Sequence, residues 1–374
     1  MKFTDVNPFN KKIQKRINKS ILDTVKKKDF ILGNNVNKFE KKFSNLSKSK
    51  YAVGCATGTD ALILALKSLN LKPNHEVIIP GMSYISTGLS AALNNNKIVF
   101  ADIDNDTGLI SLKSVKNKIS KNTKVVIPVN LYGQKVDIKK LRGIVGSNKY
   151  IIEDSAQAHF AFSCFDCKKS TSTKCCKKEM NHKYADISCY SFYPSKNLGA
   201  YGDGGIITTN NRNLFNKIYF LRNLGTIKKN VHQYEGLNSR LDTLQATILL
   251  EKVKFTHLHN DYRRMVSSFY DKQLSTIKDV KLTLSKPGSS RHLYVIRIKK
   301  RNKLAKFLLK NKVPVQYHYP YSLNKAPALK NKIKKVKLLN SENWAKECLS
   351  LPLYPYMKLK DANKVVRLIR KFYS

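Results

Sequence analysis

A chain of 374 residues is long enough for two domains, and a 42% hydrophobic content with 16 Phe and 19 Tyr supplies a sizeable core, which excludes disorder, collagen and coiled coil as the whole-chain architecture. Seventy Lys+Arg against 25 Asp+Glu give a net charge of +45, a balance that by itself points to an anionic partner. The lysines are scattered over every segment instead of gathered with interleaved aromatics, so no nucleic-acid partner is expected.

The opening segment MKFTDVNPFNKKIQKRINKS has no apolar run, so no secretory leader is expected, and no stretch approaches the roughly 18 apolar residues of a membrane span. Seven cysteines, an odd number in a chain this long, argue against a secreted disulfide framework and for a reducing, cytoplasmic location.

Short β-rich runs alternate with helical ones. YAVGC (Tyr51–Cys55) precedes GTDALILALKSL, whose apolar positions recur at helical spacing. EVIIP ends at Pro80 and leads to a small-residue helix over residues 83–93. KIVFADID, KVVIPVN, KYIIEDSA, DISCYSF and GGIITTN follow as strands, most of them continuous apolar runs. Such runs imply strands covered on both faces by helices, hence an α/β fold with a mostly parallel sheet. A long helix is expected over residues 241–271, then a strand at HLYVIRI, a helix at LAKFLLKNK and a solvated basic run at KNKIKKVK. The expected division is a large α/β domain over residues 1–250 and a small C-terminal α+β domain over residues 251–374.

Catalytic groups of an open α/β sheet gather at the carboxyl ends of its strands. Gly58 and Thr59 open the helix after YAVGCAT, either as a phosphate cradle or as an ordinary capped helix start. Tyr84, after EVIIPGMS, either stacks on a planar ligand or fills the core. In IIEDSAQAH, Asp154 ends an apolar strand, where a buried carboxylate requires a cationic partner or a metal, and Ala156 and Gln157 stand close behind. SFYPSKNLGAYGDGG then supplies Ser191 and Lys196 ahead of a glycine-dense turn. Lys196, a solvated residue if taken alone, becomes a Schiff-base candidate beside Asp154 and the cradle.

These pieces fit pyridoxal 5′-phosphate (PLP). Lys196 supplies the amine, and Asp154 keeps the pyridine nitrogen protonated so that the ring acts as an electron sink. Tyr84 and Ala156 flank the ring, Gln157 meets its phenolic oxygen, and Gly58, Thr59 and Ser191 hold the phosphate. A base at residue 196 must be neutral, so its pKa is expected below the usual value of about 10.4.

With these residues, the motifs VGCATGTDAL, EVIIPGMSYIST, IIEDSAQAH, SFYPSKNLGAYGDGGIITTN, GLNSRLDTLQA and YHYP closely resemble the DegT/DnrJ/EryC1/StrS sugar aminotransferases, a PLP-dependent family of fold type I, nearly end to end. The resemblance implies a homodimer with shared active sites, in which Asn238 reaches the neighbouring subunit's cofactor phosphate and Arg240 lies near the site. It also implies nucleotide-activated keto-sugar substrates, L-glutamate as amino donor, and a weak substrate-binding role for His318. Related sugar dehydratases carry His in place of the lysine, so Lys196 favours transamination. A PLP enzyme of another reaction and a non-catalytic basic binding protein stay open as alternatives.

The segment between His159 and Asp186 departs from the family pattern. Cys164-x-x-Cys167 with the adjacent Cys175-Cys176 is an awkward set for one tetrahedral zinc site, so reduced thiols and no metal are expected. His159 is expected to be structural.

Overall fold

The computed structural model describes residues 1–162 and 183–374, and the four cysteines of the divergent segment lie outside the described residues. Two helices precede the first strand. Helix α1 (Lys11–Lys27) starts where the Asn10 side chain accepts from the Ile13 N–H, and α2 (Asn34–Ser47) buries Val36, Phe39, Glu40 and Phe43 at helical spacing. The alternation that follows is β1 (Tyr51–Cys55), α3 (Gly58–Lys67), β2 (Glu76–Pro80), α4 (Ile85–Leu93), β3 (Lys97–Ala101), α5 (Leu112–Lys118), β4 (Thr123–Val126), α6 (Ile138–Val145), β5 (Tyr150–Asp154), β6 (Ile187–Ser191), β7 (Gly205–Thr209) and α7 (Arg212–Leu221).

The seven strands form one sheet in the order β1-β7-β6-β5-β4-β2-β3. Strand β7 runs antiparallel to both neighbours, and every other pairing is parallel. Strands β2, β6 and β7 are buried at every residue, as continuous apolar runs between two helical layers require. Glu153 of β5 is buried but paired: it meets Lys135 at 2.6 Å and accepts from Asn130 Nδ2 and Ser188 Oγ.

A hairpin of β8 (Thr226–Lys228) and β9 (Val231–His232) leads to α8 (Thr243–Lys252) and α9 (Thr256–Leu274). The single helix expected over residues 241–271 is therefore two, divided by a 3-10 turn at Val253–Phe255. The two parts serve different cores: α8 gives Ala246 and Leu249 to the cluster around Phe39 and Phe192, whereas α9 gives Val266, Tyr270 and Leu274 to the C-terminal one. Strands β10 (Lys281–Leu282), β11 (Tyr294–Arg297) and β12 (Cys348–Leu351) form an antiparallel three-stranded sheet, with α10 (Arg301–Lys310), α11 (Leu339–Glu347) and α12 (Leu359–Tyr373). We propose the domain division near residue 250 on the basis of this separate core, although Leu323, Leu329 and Leu338 pack into the core of the large sheet. The basic run is a solvated surface with two anchors, since Ile333 and Val336 lean on that core while the lysines between them are exposed. No helix among the described residues is long and apolar enough to cross a membrane.

Candidate active site

The first wall of the site is the start of α3. Its cap is Thr57, whose hydroxyl accepts from the Asp60 N–H, so Gly58 and Thr59 are the first two helical residues and their N–H groups have no intrahelical acceptor. Gly58 is required by a close approach: an added Cβ would sit 2.5 Å from the Ser191 Cβ at the end of β6. Thr59 Oγ1 meets Ser86 Oγ of α4 at 2.7 Å. A helix N-terminus and the Thr59, Ser86 and Ser191 hydroxyls thus converge on one cup of the kind that holds a phosphate.

Asp154 closes β5, and its backbone pairs in register with Cys189 of β6, two residues before Ser191. Its carboxylate is buried and accepts from Thr87 Oγ1 at 2.8 Å and from the Ala156 N–H at 3.2 Å. Burial raises its pKa, against the lowering effect of those two donors and of the Lys196 charge. Lys196 stands in the turn after β6, half-buried, and its pKa is lowered to about 8 by burial, with Asp154 partly restoring it. The two groups are close enough for each to alter the other's proton affinity.

Tyr84 caps α4 and is 57% exposed, so it is no core filler; its ring lies 5.8 Å from that of Tyr319. Ala156 is half-buried directly after Asp154. Gln157 is held at both ends of its amide: the Tyr132 N–H donates to Oε1 at 2.7 Å, and Nε2 donates to the Tyr319 hydroxyl at 2.8 Å. Nε2 keeps a second hydrogen for a ligand oxygen. His318 places Nδ1 2.8 Å from Ser350 Oγ and stacks on Phe3, and burial, then the Lys196 charge, lower its pKa to about 4. Its neighbour Tyr319, rather than His318, is the residue hydrogen-bonded into the Gln157 and Tyr84 wall.

Asn238 is exposed, and the Arg240 guanidinium braces it by donating to its side-chain oxygen and to Asn223 Oδ1. The same loop is tied to the cup, since Ser239 Oγ donates to Asp60 Oδ2 of α3 at 2.7 Å. Sequence reasoning missed Ser86, Thr87 and Tyr319. Thr87 carried a weak signal, lying one turn beyond Tyr84 at the start of the same helix, and Tyr319 stands in the YHYP motif beside the residue that was chosen.

The residues present fit PLP. The buried carboxylate accepts from neutral donors, an amine of lowered pKa lies within its electrostatic reach, and the start of α3 closes on Ser191 because Gly58 has no Cβ. No cluster of three or more His, Cys, Asp or Glu among the described residues is placed to hold a metal.

Residues 11–370 match the DegT/DnrJ/EryC1/StrS aminotransferase family. The chain is 34% identical over 361 residues to the UDP-2-acetamido-2-deoxy-3-oxo-D-glucuronate aminotransferase of Pseudomonas aeruginosa, covering 96% of each protein. Among solved structures it is similar to S. venezuelae DesV in complex with a ketimine intermediate, with a TM-score of 0.91 at 28% identity over 99% of this chain and 98% of that one. It is also similar to NtdA from Bacillus subtilis with bound cofactor PMP, with a TM-score of 0.87 at 26% identity over 99% of this chain and 84% of that one.

Proposed function

The chain belongs to the DegT/DnrJ/EryC1/StrS aminotransferase family, and from that premise we propose that it is a PLP-dependent transaminase that converts a nucleotide-activated keto sugar to an amino-sugar nucleotide, with L-glutamate as donor. The observation that carries this reading is the buried Asp154 carboxylate within electrostatic reach of Lys196, on the strand next to the one whose end, Ser191, closes against Gly58 at the start of α3. When bound, PLP supplies the electron sink for the carbanion at the amino-bearing carbon. Asp154 holds the proton on the ring nitrogen, and Thr87 and the Ala156 N–H keep that carboxylate ionised and aimed. Gly58 and Thr59 N–H groups and the Ser191 hydroxyl bind the phosphate, and Tyr84 and Ala156 flank the ring. Lys196 is the amine that would hold the cofactor, and as a neutral base it would take the proton from the α-carbon of the donor.

The reading includes a homodimer in which Asn238, braced by Arg240, meets the phosphate bound by the partner subunit. Its support is the exposed apolar set Phe30, Ile31, Leu224, Ile227 and Val231 on segments bonded to the Asn238 loop. A cytoplasmic location accords with a nucleotide-sugar substrate. The test is spectroscopic: the PLP-loaded protein has a visible band that L-glutamate bleaches and a keto-sugar nucleotide restores. A band indifferent to glutamate overturns the donor, and an absent band in the wild type overturns the reading.

A further inference from the structure

Beside the Lys196 turn lies a second cavity, with about 20 Å³ of water-sized space, between the N-terminal arm and the junction of α8 and α9. Lys252, His259 and Arg263 line it, and all three are at least nine-tenths buried, at 4%, 4% and 2% exposure. Lys252 Nζ, His259 Nε2 and Arg263 Nε have no hydrogen-bond partner there. The Lys252 ammonium sits 4.5 Å from the Tyr201 ring centroid and 5.7 Å from that of Phe9, contacts that attract a cation without neutralising it. Among the described residues Asp5 is the sole carboxylate lining the cavity, and it is already engaged by Lys2 at 3.2 Å and by the Asn7 N–H at 3.2 Å. Burial lowers Lys252 to about pKa 8, so it keeps its charge at neutral pH, while burial and the neighbouring Arg263 and Lys252 charges lower His259 to about 4 and leave it neutral.

A contrasting cavity shows what these orphans require. The pocket beside Tyr132 is lined by Gln134, Thr283 and Ser285, whose unpartnered atoms are a carbonyl oxygen and two hydroxyls, a set that one water satisfies because water both donates and accepts. The two charged orphans around Lys252, an ammonium and a guanidinium N–H, only donate, and with neutral His259 in its Nε2–H tautomer the third does too, so an occupant that accepts only and carries negative charge completes the set. Space for one or two water molecules excludes phosphate, sulfate and carboxylic acids of metabolite size.

We propose that this pocket binds one small monovalent anion of the halide class, held by Lys252 and Arg263 with the His259 Nε2–H as a third donor. The site is separate from the cofactor cup but shares Lys196 as a lining residue, so the bound anion raises the proton affinity of that amine. Crystals of the PLP-loaded protein soaked in sodium bromide should show an anomalous peak in the pocket, against Lys252 and Arg263. In solution, the chloride-35 resonance should broaden saturably with added protein and sharpen again with bromide, and Lys252→Met should weaken the half-saturation by about tenfold or more. An ordered water without anomalous signal overturns the proposal. A bromide peak without saturable broadening marks an adventitious ion only and also overturns it, as does broadening unchanged in Lys252→Met. Should that variant fail to fold, the wild-type map and titration decide the matter together.

Discussion

Thr87 Oγ1 donates to Asp154 Oδ2 across 2.8 Å, tying the first turn of α4 to the end of β5, and Ser83 Oγ stands 2.7 Å behind the same hydroxyl. A hydrogen bond to a buried carboxylate contributes about 1.5–3 kcal/mol. Thr87→Val keeps the shape and removes that donor, so the Asp154 pKa, already raised by burial, rises further and the carboxylate holds a ring proton less well. The expected result is PLP affinity weakened by about 10- to 100-fold in a titration of the cofactor-free protein, with Thr87→Ser near wild type. Unchanged affinity in Thr87→Val would remove the hydroxyl from the site.

Lys196 sets a second expectation through its pKa of about 8. Only the neutral amine captures an aldehyde, and the neutral fraction of such a group grows about tenfold between pH 7 and pH 9 before levelling. An ordinary lysine, at about 10.4, keeps gaining well beyond pH 9. Stopped-flow capture of PLP by the cofactor-free protein should therefore rise about tenfold across that interval and then flatten. Asp154→Asn removes the charge that raises the amine's proton affinity and moves the midpoint to lower pH. A rate still climbing steeply above pH 10 contradicts the buried-amine picture.

The seven strands of the large sheet were legible as apolar runs, and Asp154 and Lys196 stand out as candidates because a carboxylate after IIE and a lysine before a glycine-dense turn are both out of place unless something binds there. Gly58 was legible for the wrong competitor: the alternative was a capped helix start, and the cap is Thr57, one residue earlier, which leaves Gly58 and Thr59 free for the cup. Thr87 and Tyr319 were only faintly legible, since what ties them to the other candidate residues is a contact made across 67 residues to Asp154 and one across 162 residues to Gln157. The division of α8 from α9, expected as one helix, depends on which core each packs against.

Asn238 is exposed on its own subunit, so its proposed action on the partner's site has a direct genetic test. Lys196→Ala and Asn238→Ala should each be inactive or strongly impaired alone. Co-expressed, they form mixed dimers in which one site has Lys196 and receives an intact Asn238 from the other subunit. Activity should then recover in the mixed population to roughly that of one working site per mixed dimer. Failure to recover, with mixed dimers verified by differential tags, places Asn238 in its own subunit's chemistry instead.

Among the described residues, four histidines are held neutral by the fold: burial lowers the pKa of His159 to about 3 and of His259 and His318 to about 4, and takes His292 well below its ordinary value. Each has an unfolded value near 6.5, so below that pH the unfolded chain takes up protons that the folded one refuses. Stability is therefore full above about pH 6.5 and falls as the pH drops toward 4, by up to about 1.4 kcal/mol per pH unit for each histidine. His159 is fully buried among Tyr190 and Phe192, and burial followed by the Lys196 charge sets its shift. In His159→Phe the ring remains and the titration does not, so the slope of stability against pH, measured by urea unfolding of the cofactor-free protein from pH 6.5 to 4.5, should shrink by about one proton. A variant with the wild-type slope would mean that His159 is protonated in the folded protein, and the neutral core around it would have to be redrawn.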